Sequence, residues 1–363
     1  MSDKESQKFQ TMLDLVINTA GNSPVCNSIL LINVPGNNYK FVQASGCLYP
    51  SGQKVTADYN FRIASITKTF TATIVLQLME EGLLRLDDKF INFIDKSKMQ
   101  FLKNIHFIEE LNFTSFIAVH HLLQHTSGLR DYFNDDKRFV DCVRENPSCQ
   151  WNATSILNKY FEYGLNKKAL FKPGMGFYYS DTNYILLALL IEELTGKRLH
   201  EAFEERIYKP LKLNNTYLEF YQQPKGQSLR TFPFQGNVSL EEVNTSFDWG
   251  GGGMVSTVND LDIFIRSLVK GELFKVKGTV ETMKNFHSSD ITKLEGRLRD
   301  YGLGLQKKEI RERLFIGHTG VYGVMMYCDI INEATIILTI NQAAGMQKAE
   351  WLIRKVVENL KTF

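Results

Sequence analysis

The stretch Ser65-Ile66-Thr67-Lys68-Thr69-Phe70-Thr71-Ala72-Thr73-Ile74-Val75-Leu76-Gln77-Leu78-Met79-Glu80-Glu81, closed by Gly82, decides how this chain is read. Its apolar residues fall on most sides of a helical wheel, so the spacing predicts a buried central helix over 65–81. Gly82 supplies the left-handed residue on which helices commonly end. Ser65 and Lys68 stand in the first turn, three residues apart, where the lysine nitrogen reaches the serine hydroxyl. The free N–H groups and positive dipole end of a helix N-terminus favour an oxyanion there. A serine is a poor nucleophile until an adjacent base takes its proton, and Lys68 is the nearest candidate. The same residues also fit a plain N-cap serine followed by a solvated lysine. Ser-x-x-Lys recurs at Ser51/Lys54, beside Pro50 and Gly52, and at Ser267/Lys270, before Gly271; neither pair begins a buried helix.

Outward from that helix, Glu5 to Ala20 has the spacing of an amphipathic helix, with Phe9, Met12, Leu13, Val16 and Ile17 on one face. Ser28–Val34 and Tyr39–Leu48 read as strands joined by Pro35-Gly36-Asn37-Asn38, a hairpin turn. From Leu83 to about Ser246 the pattern is mainly helical, with candidates at 120–123, 155–163, 182–194 and 199–207. Gly250 to Gly253 lead into a helix at 257–268. Strands return at 301–306, 314–318, 322–329 and 335–341, and a helix at 348–360 closes the chain. The expected fold class is α/β in the α+β sense: an antiparallel sheet flanked by N- and C-terminal helices, plus an all-α insertion. Residues 1–82 and 250–363 would form one unit, 83–249 the mainly helical insertion, and a cleft would lie between them.

At 363 residues the chain is long enough for two units sharing a large core. Forty-two basic against forty acidic side chains leave a net charge of +2, which argues against nucleic acid or an anionic membrane as partner. Five cysteines without C-x-x-C spacing read as mostly reduced thiols; Cys142 and Cys149 could pair in an oxidising compartment. No metal site is expected: there is no H-E-x-x-H, and adjacent His120 and His121 would point about 100° apart on a helix. The first ten residues lack a signal-peptide core, and the longest apolar run, Tyr184–Ile191, falls far short of the roughly 20 residues that span a bilayer. The chain as written reads as soluble and cytoplasmic, with export left open if a leader was removed. Oligomeric state is not legible.

Two further segments carry chemistry. Phe177-Tyr178-Tyr179-Ser180-Asp181 follows Pro173-Gly174 and precedes an apolar helix, which puts Tyr179 on a loop at a helix start. A tyrosine beside a lysine shuttles protons if the cation lowers its pKa; simple aromatic packing is the competing reading. Gly317-His318-Thr319-Gly320 ends one strand and opens a turn to the next, where His318 also fits an ordinary edge-strand histidine.

With these residues in view, the chain resembles the serine β-lactamase and penicillin-binding protein family, in the branch of class C β-lactamases, DD-peptidases and esterases. The resemblance runs from about Val25 to Leu360. It is carried by Phe61–Thr71, Glu81–Asp88, His121-Leu122-Leu123-Gln124-His125-Thr126-Ser127-Gly128-Leu129, Tyr179–Tyr184, Trp249–Asp260 and Gly317–Gly320. It implies a β-lactamase/transpeptidase-like fold and acylation at Ser65, with Lys68 or Tyr179 removing the serine proton. The oxyanion would be held by the N–H groups of Ser65 and Val321. Asp181, His318, Thr319 and Gly320 would face the substrate, a small molecule or peptide, and no metal or organic cofactor is needed.

Three positions depart from the family pattern. Asp181 stands where asparagine is usual; an ionised aspartate only accepts hydrogen bonds, and it would hold Lys68 charged, moving the base role toward Tyr179. His318 replaces a lysine and is largely neutral above about pH 6.5, so a fixed charge for a substrate carboxylate is not guaranteed. Val321 replaces a smaller residue and should narrow the cleft. The expected activity is hydrolysis of an ester or a D-amino-acid-type amide through an acyl-enzyme. The alternatives are a β-lactamase or DD-carboxypeptidase, and a non-catalytic relative kept as a binding or scaffold module.

Overall fold

The computed structural model describes residues 3–20, 24–49, 52–94, 99–229, 243–286 and 300–360. Its main sheet has six strands: β1 (Asn27–Val34), β2 (Tyr39–Gly46), β3 (Gln306–Ile310), β4 (Arg313–Gly320), β5 (Val324–Asp329) and β6 (Thr335–Thr339). Their order is β2-β1-β6-β5-β4-β3, every neighbour antiparallel. Strands from the two ends of the chain meet where β1 pairs with β6, Ile29 opposite Thr339 and Asn33 opposite Thr335.

Both sheet faces are covered, which explains why the strands read as unbroken apolar runs. Leu30, Ile32, Met325, Tyr327, Ile336 and Leu338 pack under the two terminal helices, α1 (Asp3–Leu15) and a closing helix (Met346–Asn359). Ile29, Leu31, Val324, Met326 and Ile337, one step out of phase, join the larger core on the other face. That core is built around α2 (Thr67–Glu80), whose residues from Thr67 through Leu76 are all buried, Lys68 included. Gly82 ends it with a φ of 74°. The Phe70 ring lies flat on Phe264, centroids 3.6 Å apart. The polar side chains of α2 are satisfied by glycine-rich backbone: Thr71 Oγ1 donates to Gly250 O (2.7 Å) and Thr69 Oγ1 to Gly304 O (2.8 Å).

Several expectations are refined. The strand expected at 301–306 begins only at Gln306; Gly302 and Gly304 make that stretch a tight turn, and a Cβ on Gly304 would fall 2.3 Å from Ala72 Cβ. Residues 137–145, absent from the helix candidates, form the helix α3 (Lys137–Glu145), capped by the Asp136 side chain. The helix expected at 182–194 is α4 (Asp181–Thr195), ended by Gly196. All five cysteines are free, so Cys142 and Cys149 are not joined. Among the described residues no helix is long and apolar enough to cross a membrane.

Removing the ring from the Phe70–Phe264 stack leaves a cavity that buried neighbours cannot fill. Phe70→Ala should destabilise the protein by about 3–5 kcal/mol, read as a lower urea midpoint at unchanged m-value.

Candidate active site

Ser65 occupies a 3-10 turn, Ala64–Ile66, that leads into α2. Ala64 there has a φ of 46°, a left-handed conformation that an alanine adopts only under constraint from its surroundings. The constraint is visible in β4: a Cβ on Gly320 would fall 2.3 Å from Ile63 O and 3.2 Å from Ala64 Cβ. The strand can lie against the Ser65 turn because residue 320 has no side chain. This apposition brings Val321, exposed at 45%, to the rim above Ser65. Neither the Ser65 nor the Val321 N–H donates a hydrogen bond to a described residue.

The Lys68 amine is fully buried and meets three groups. It donates to Ser65 Oγ at 3.1 Å and to Gly251 O at 2.7 Å, and it forms an ion pair with Asp181. Burial opposes its charge, but Asp181 and then Tyr179 outweigh burial, so the amine is held well above its ordinary value. Asp181 is the first residue of α4, and its own N–H donates to the buried Asp131 carboxylate. The Tyr179 side chain stands beside both Ser65 and Lys68, whose Nζ lies 5.0 Å from the centre of its ring. Burial raises its pKa, the Lys68 charge pulls against that, and Asp181 adds to the rise; the net is upward. The Lys68 charge does pull the Tyr179 pKa down, but burial outweighs it, so Tyr179 rests as a phenol beside the Lys68 ammonium.

Behind Tyr179 the ring of His125 lies 4.2 Å away, centroid to centroid. Its Nδ1 accepts from the Ser180 N–H and the Asn183 amide, both at 3.1 Å, and burial pushes its pKa well below the usual value. This neutral histidine fixes the Tyr179 loop from behind, a role that its place in the His121–Leu129 segment does not reveal.

His318 was expected to face the substrate and does not. It is fully buried; its Nδ1 lies 2.7 Å from Thr319 O, which can only accept, so Nε2 is left to accept from the Tyr301 hydroxyl at 3.0 Å. Burial, and then the Lys68 charge, lower its pKa to about 3, so it is neutral throughout the physiological range. Thr319 is likewise tied to β3, its hydroxyl 3.1 Å from Gln306 Oε1. Gly320 serves the close approach already described. Of the expected site residues, the structure thus gathers Ser65, Lys68, Tyr179, Asp181 and Val321 around one opening. Of the other Ser-x-x-Lys copies, Ser267 is buried near the end of a helix, and Ser51 lies outside the described residues.

That opening is a cavity of about 290 Å³. One wall is apolar, with Phe133, Val140, Val143, Val243 and Phe247. Of the aromatic residues nearby, Phe133 lines the cavity, while Tyr132, Trp151 and Trp249 belong to the core. The floor is Gly251 and Gly252, whose missing side chains leave room: a Cβ on Gly251 would sit 3.6 Å from Lys68 Nζ and 3.5 Å from Asp181 Oδ1. One lining residue went unnoticed in the sequence, Asp248. Burial, and then repulsion from Asp181, raise its pKa to about 7; the same two causes bring Asp131 to about 7. The only signal for Asp248 was an acid placed directly before an aromatic–glycine run.

The family model described as Beta-lactamase matches residues 41–358. Among curated proteins, "Penicillin-binding protein 4*" of Bacillus subtilis (strain 168) is 25% identical over 324 residues, covering 83% of this chain and 64% of that protein. A "Putative D-alanyl-D-alanine carboxypeptidase" of Escherichia coli (strain K12) is 25% identical over 335 residues, 80% of this chain and 70% of the other. Among solved structures, the D-amino acid amidase from Ochrobactrum anthropi SV3 superposes with a TM-score of 0.78 at 24% identity, over 99% of each chain. A D-stereospecific amidohydrolase from Streptomyces sp. gives 0.76 at 24%, over 96% of this chain and 98% of the other. At that identity the structural likeness is one of fold.

An acid whose folded pKa (about 7) lies above its ordinary 3.8 holds its proton more tightly in the folded state. Folding stability is then greatest at low pH, falls as pH rises from about 4 to 7, and stays reduced above that. Asp248→Asn removes one such acid, so its melting temperature should gain on the wild type as pH is raised from 5 to 8 in thermal denaturation. A difference that shrinks with pH would contradict the assignment.

Proposed function

The chain belongs to the β-lactamase family, and from that premise we propose that it is a serine hydrolase working through an acyl-enzyme on Ser65, acting on esters or D-amino-acid-type amides. The observation that carries the reading is the convergence of Ser65 Oγ, the Lys68 amine and the Tyr179 hydroxyl at one end of the cavity. The division of the chain into a unit from 1–82 and 250–363 and an insertion from 83–249 is part of the proposal. It is supported by a cavity lined by Ser65, Gly252 and Val321 from the first and Phe133, Tyr179 and Asp181 from the second.

The resting charges shape the mechanism. Lys68 is already protonated, so it acts as a fixed positive charge beside Ser65 instead of taking its proton. Neutral Tyr179 accepts the Ser65 proton as it passes its own to the departing nitrogen or oxygen; the bond from Ser65 Oγ to the acyl carbon forms as the leaving group separates. The N–H groups of Ser65 and Val321, which have no described acceptor, hold the oxyanion. In the second half, water gives its proton to Tyr179, which returns one to Ser65 Oγ as the acid leaves. The charge on Lys68 favours every step in which negative charge passes over Ser65 and Tyr179.

Two family activities fit less well. A neutral, buried His318 offers no fixed charge for the carboxylate of a β-lactam or of a cell-wall peptide. Asp181, held on Lys68, cannot donate to an acylamino carbonyl as an asparagine would. The scaffold reading is disfavoured by the same convergence, since a fold alone needs none of the three groups.

With p-nitrophenyl butyrate, Ser65→Ala should lower turnover about 10³-fold or more while the protein stays folded. Intact-mass measurement should find a butyryl adduct on the wild type alone. Tyr179→Phe should lose about 10²–10⁴-fold; near-normal turnover in that variant would remove the shuttle.

A further inference from the structure

Asp248 is a carboxylate that the proposed mechanism leaves unused, and it stands beside the nucleophile. A methyl group built on Gly252 would lie 3.4 Å from Asp248 Cγ and 3.7 Å from the carbonyl carbon of Ala64. The acid and the Ser65 turn therefore border the same small gap in the cavity floor. The charges nearby are already committed elsewhere. Lys68 is paired with Asp181, and Arg62 grips Glu219 through two hydrogen bonds of 2.7 and 3.2 Å. Arg144, the one cation among the described lining residues, is on α3, half exposed, with Asp141 at 3.8 Å. Among the described residues none donates a hydrogen bond to the Asp248 carboxylate and none forms an ion pair with it, although the Lys68 and Arg62 charges act on it from farther off.

An acid with no direct hydrogen-bond or ion-pair partner, disfavoured as a carboxylate by burial and then by Asp181 and only partly offset by Lys68 and Arg62, is an unfavourable arrangement for the empty cleft. An incoming cation relieves it, and the geometry limits which cation fits. The carbonyl carbon must sit on Ser65 Oγ, so the charge must be within a bond or two of that carbon. The remainder of the substrate meets the wall of Phe133, Val140, Val143 and Phe247. An α-amino ester or amide with a protonated amine and an apolar side chain satisfies both conditions.

Resting on the hydrolase reading above, we infer that Asp248 is the anchor for the free ammonium group of an aminoacyl substrate, and that the cleft selects unblocked amines over N-acylated ones. Charge on the ligand meets charge on the protein in a shielded place, where such hydrogen bonds are strong. An N-acyl derivative brings a neutral amide and leaves Asp248 unpaired.

The test compares D-phenylalanine p-nitroanilide with its N-acetyl derivative. The wild type should prefer the free amine in kcat/KM by about tenfold to a hundredfold. Asp248→Asn should erase most of that preference, mainly through KM for the amine; a variant that merely loosens the fold would depress both substrates alike. Equal rates for the two substrates in the wild type, or an unchanged preference in the variant, overturn the anchor while Ser65-dependent hydrolysis of p-nitrophenyl butyrate leaves the hydrolase reading standing. If the wild type turns over no substrate, the hydrolase reading falls and binding decides the anchor. Calorimetry of D-phenylalaninamide with Ser65→Ala, with and without Asp248→Asn, should show affinity weakened about tenfold or more by the second change; equal affinities overturn it.

Discussion

A lysine with no access to solvent is the constraint around which this structure is arranged. An ammonium cannot be taken out of water without an opposite charge and hydrogen bonds to replace its hydration. Lys68 receives both: the Asp181 carboxylate, the Gly251 carbonyl and the Ser65 hydroxyl. Each partner then imposes a condition. Asp181 must open α4 beside the first turn of α2; Gly251 must turn its carbonyl inward, which a side chain on that residue would crowd; Ser65 must stand on a turn tight enough to face back toward residue 68. The field of this pair also spreads. Asp181 raises Asp131 and Asp248, while the lysine charge helps keep His125 and His318 neutral. Burial is the larger cause at each of these four groups, and the ion pair adds to it in the same direction.

Backbone geometry meets the same demand. Ala64, His125 and Trp249 are non-glycine residues with positive φ, at 46°, 58° and 32°. They directly precede Ser65, lie behind Tyr179 and begin the glycine floor. Strain of this kind persists only where surrounding packing over-determines it, and it gathers at sites where a side chain must be aimed. Glycine does the complementary work: Gly320 lets β4 touch the Ser65 turn, and Gly250 lets the floor touch α4, where a Cβ would fall 2.6 Å from Ala188 Cβ.

Much of this could be read from residue order alone, and the parts that could not share a cause. The buried helix, the hairpin and the terminal strands announce themselves through local periodicity, and the structure reproduces them within a few residues. Helix α3 was hidden because its buried residues, Phe139 and Val143, are too few to make a period among charged neighbours. Tyr301–Leu305 alternates like a strand, yet Gly302 and Gly304 bend it around α2. The neutrality of His318 followed from its ordinary pKa, but its burial against Tyr301 depends on a contact from another segment. Asp248 was invisible for the same reason: its meaning comes from Asp181, 67 positions earlier in the chain, and from the gap left by Gly252.

The exchange of asparagine for Asp181 changes the site more deeply than a lost hydrogen-bond donor would. With a neutral amide at 181, burial would press Lys68 toward the free amine, a competent base. With a carboxylate the lysine is held as a cation, and in the proposed mechanism the proton travels through a tyrosine that starts neutral. A phenol can relay a proton only if it releases one as it receives one, so bond making at Ser65 becomes tied to protonation of the leaving group. Such coupling suits leaving groups that need a proton to depart, as amide nitrogens do. The same carboxylate repels Asp248 and makes the empty cleft hospitable to an added positive charge. In the reading proposed here, the two consequences converge on one chemistry: a substrate with a basic amine on one side of its carbonyl and a leaving group to be protonated on the other.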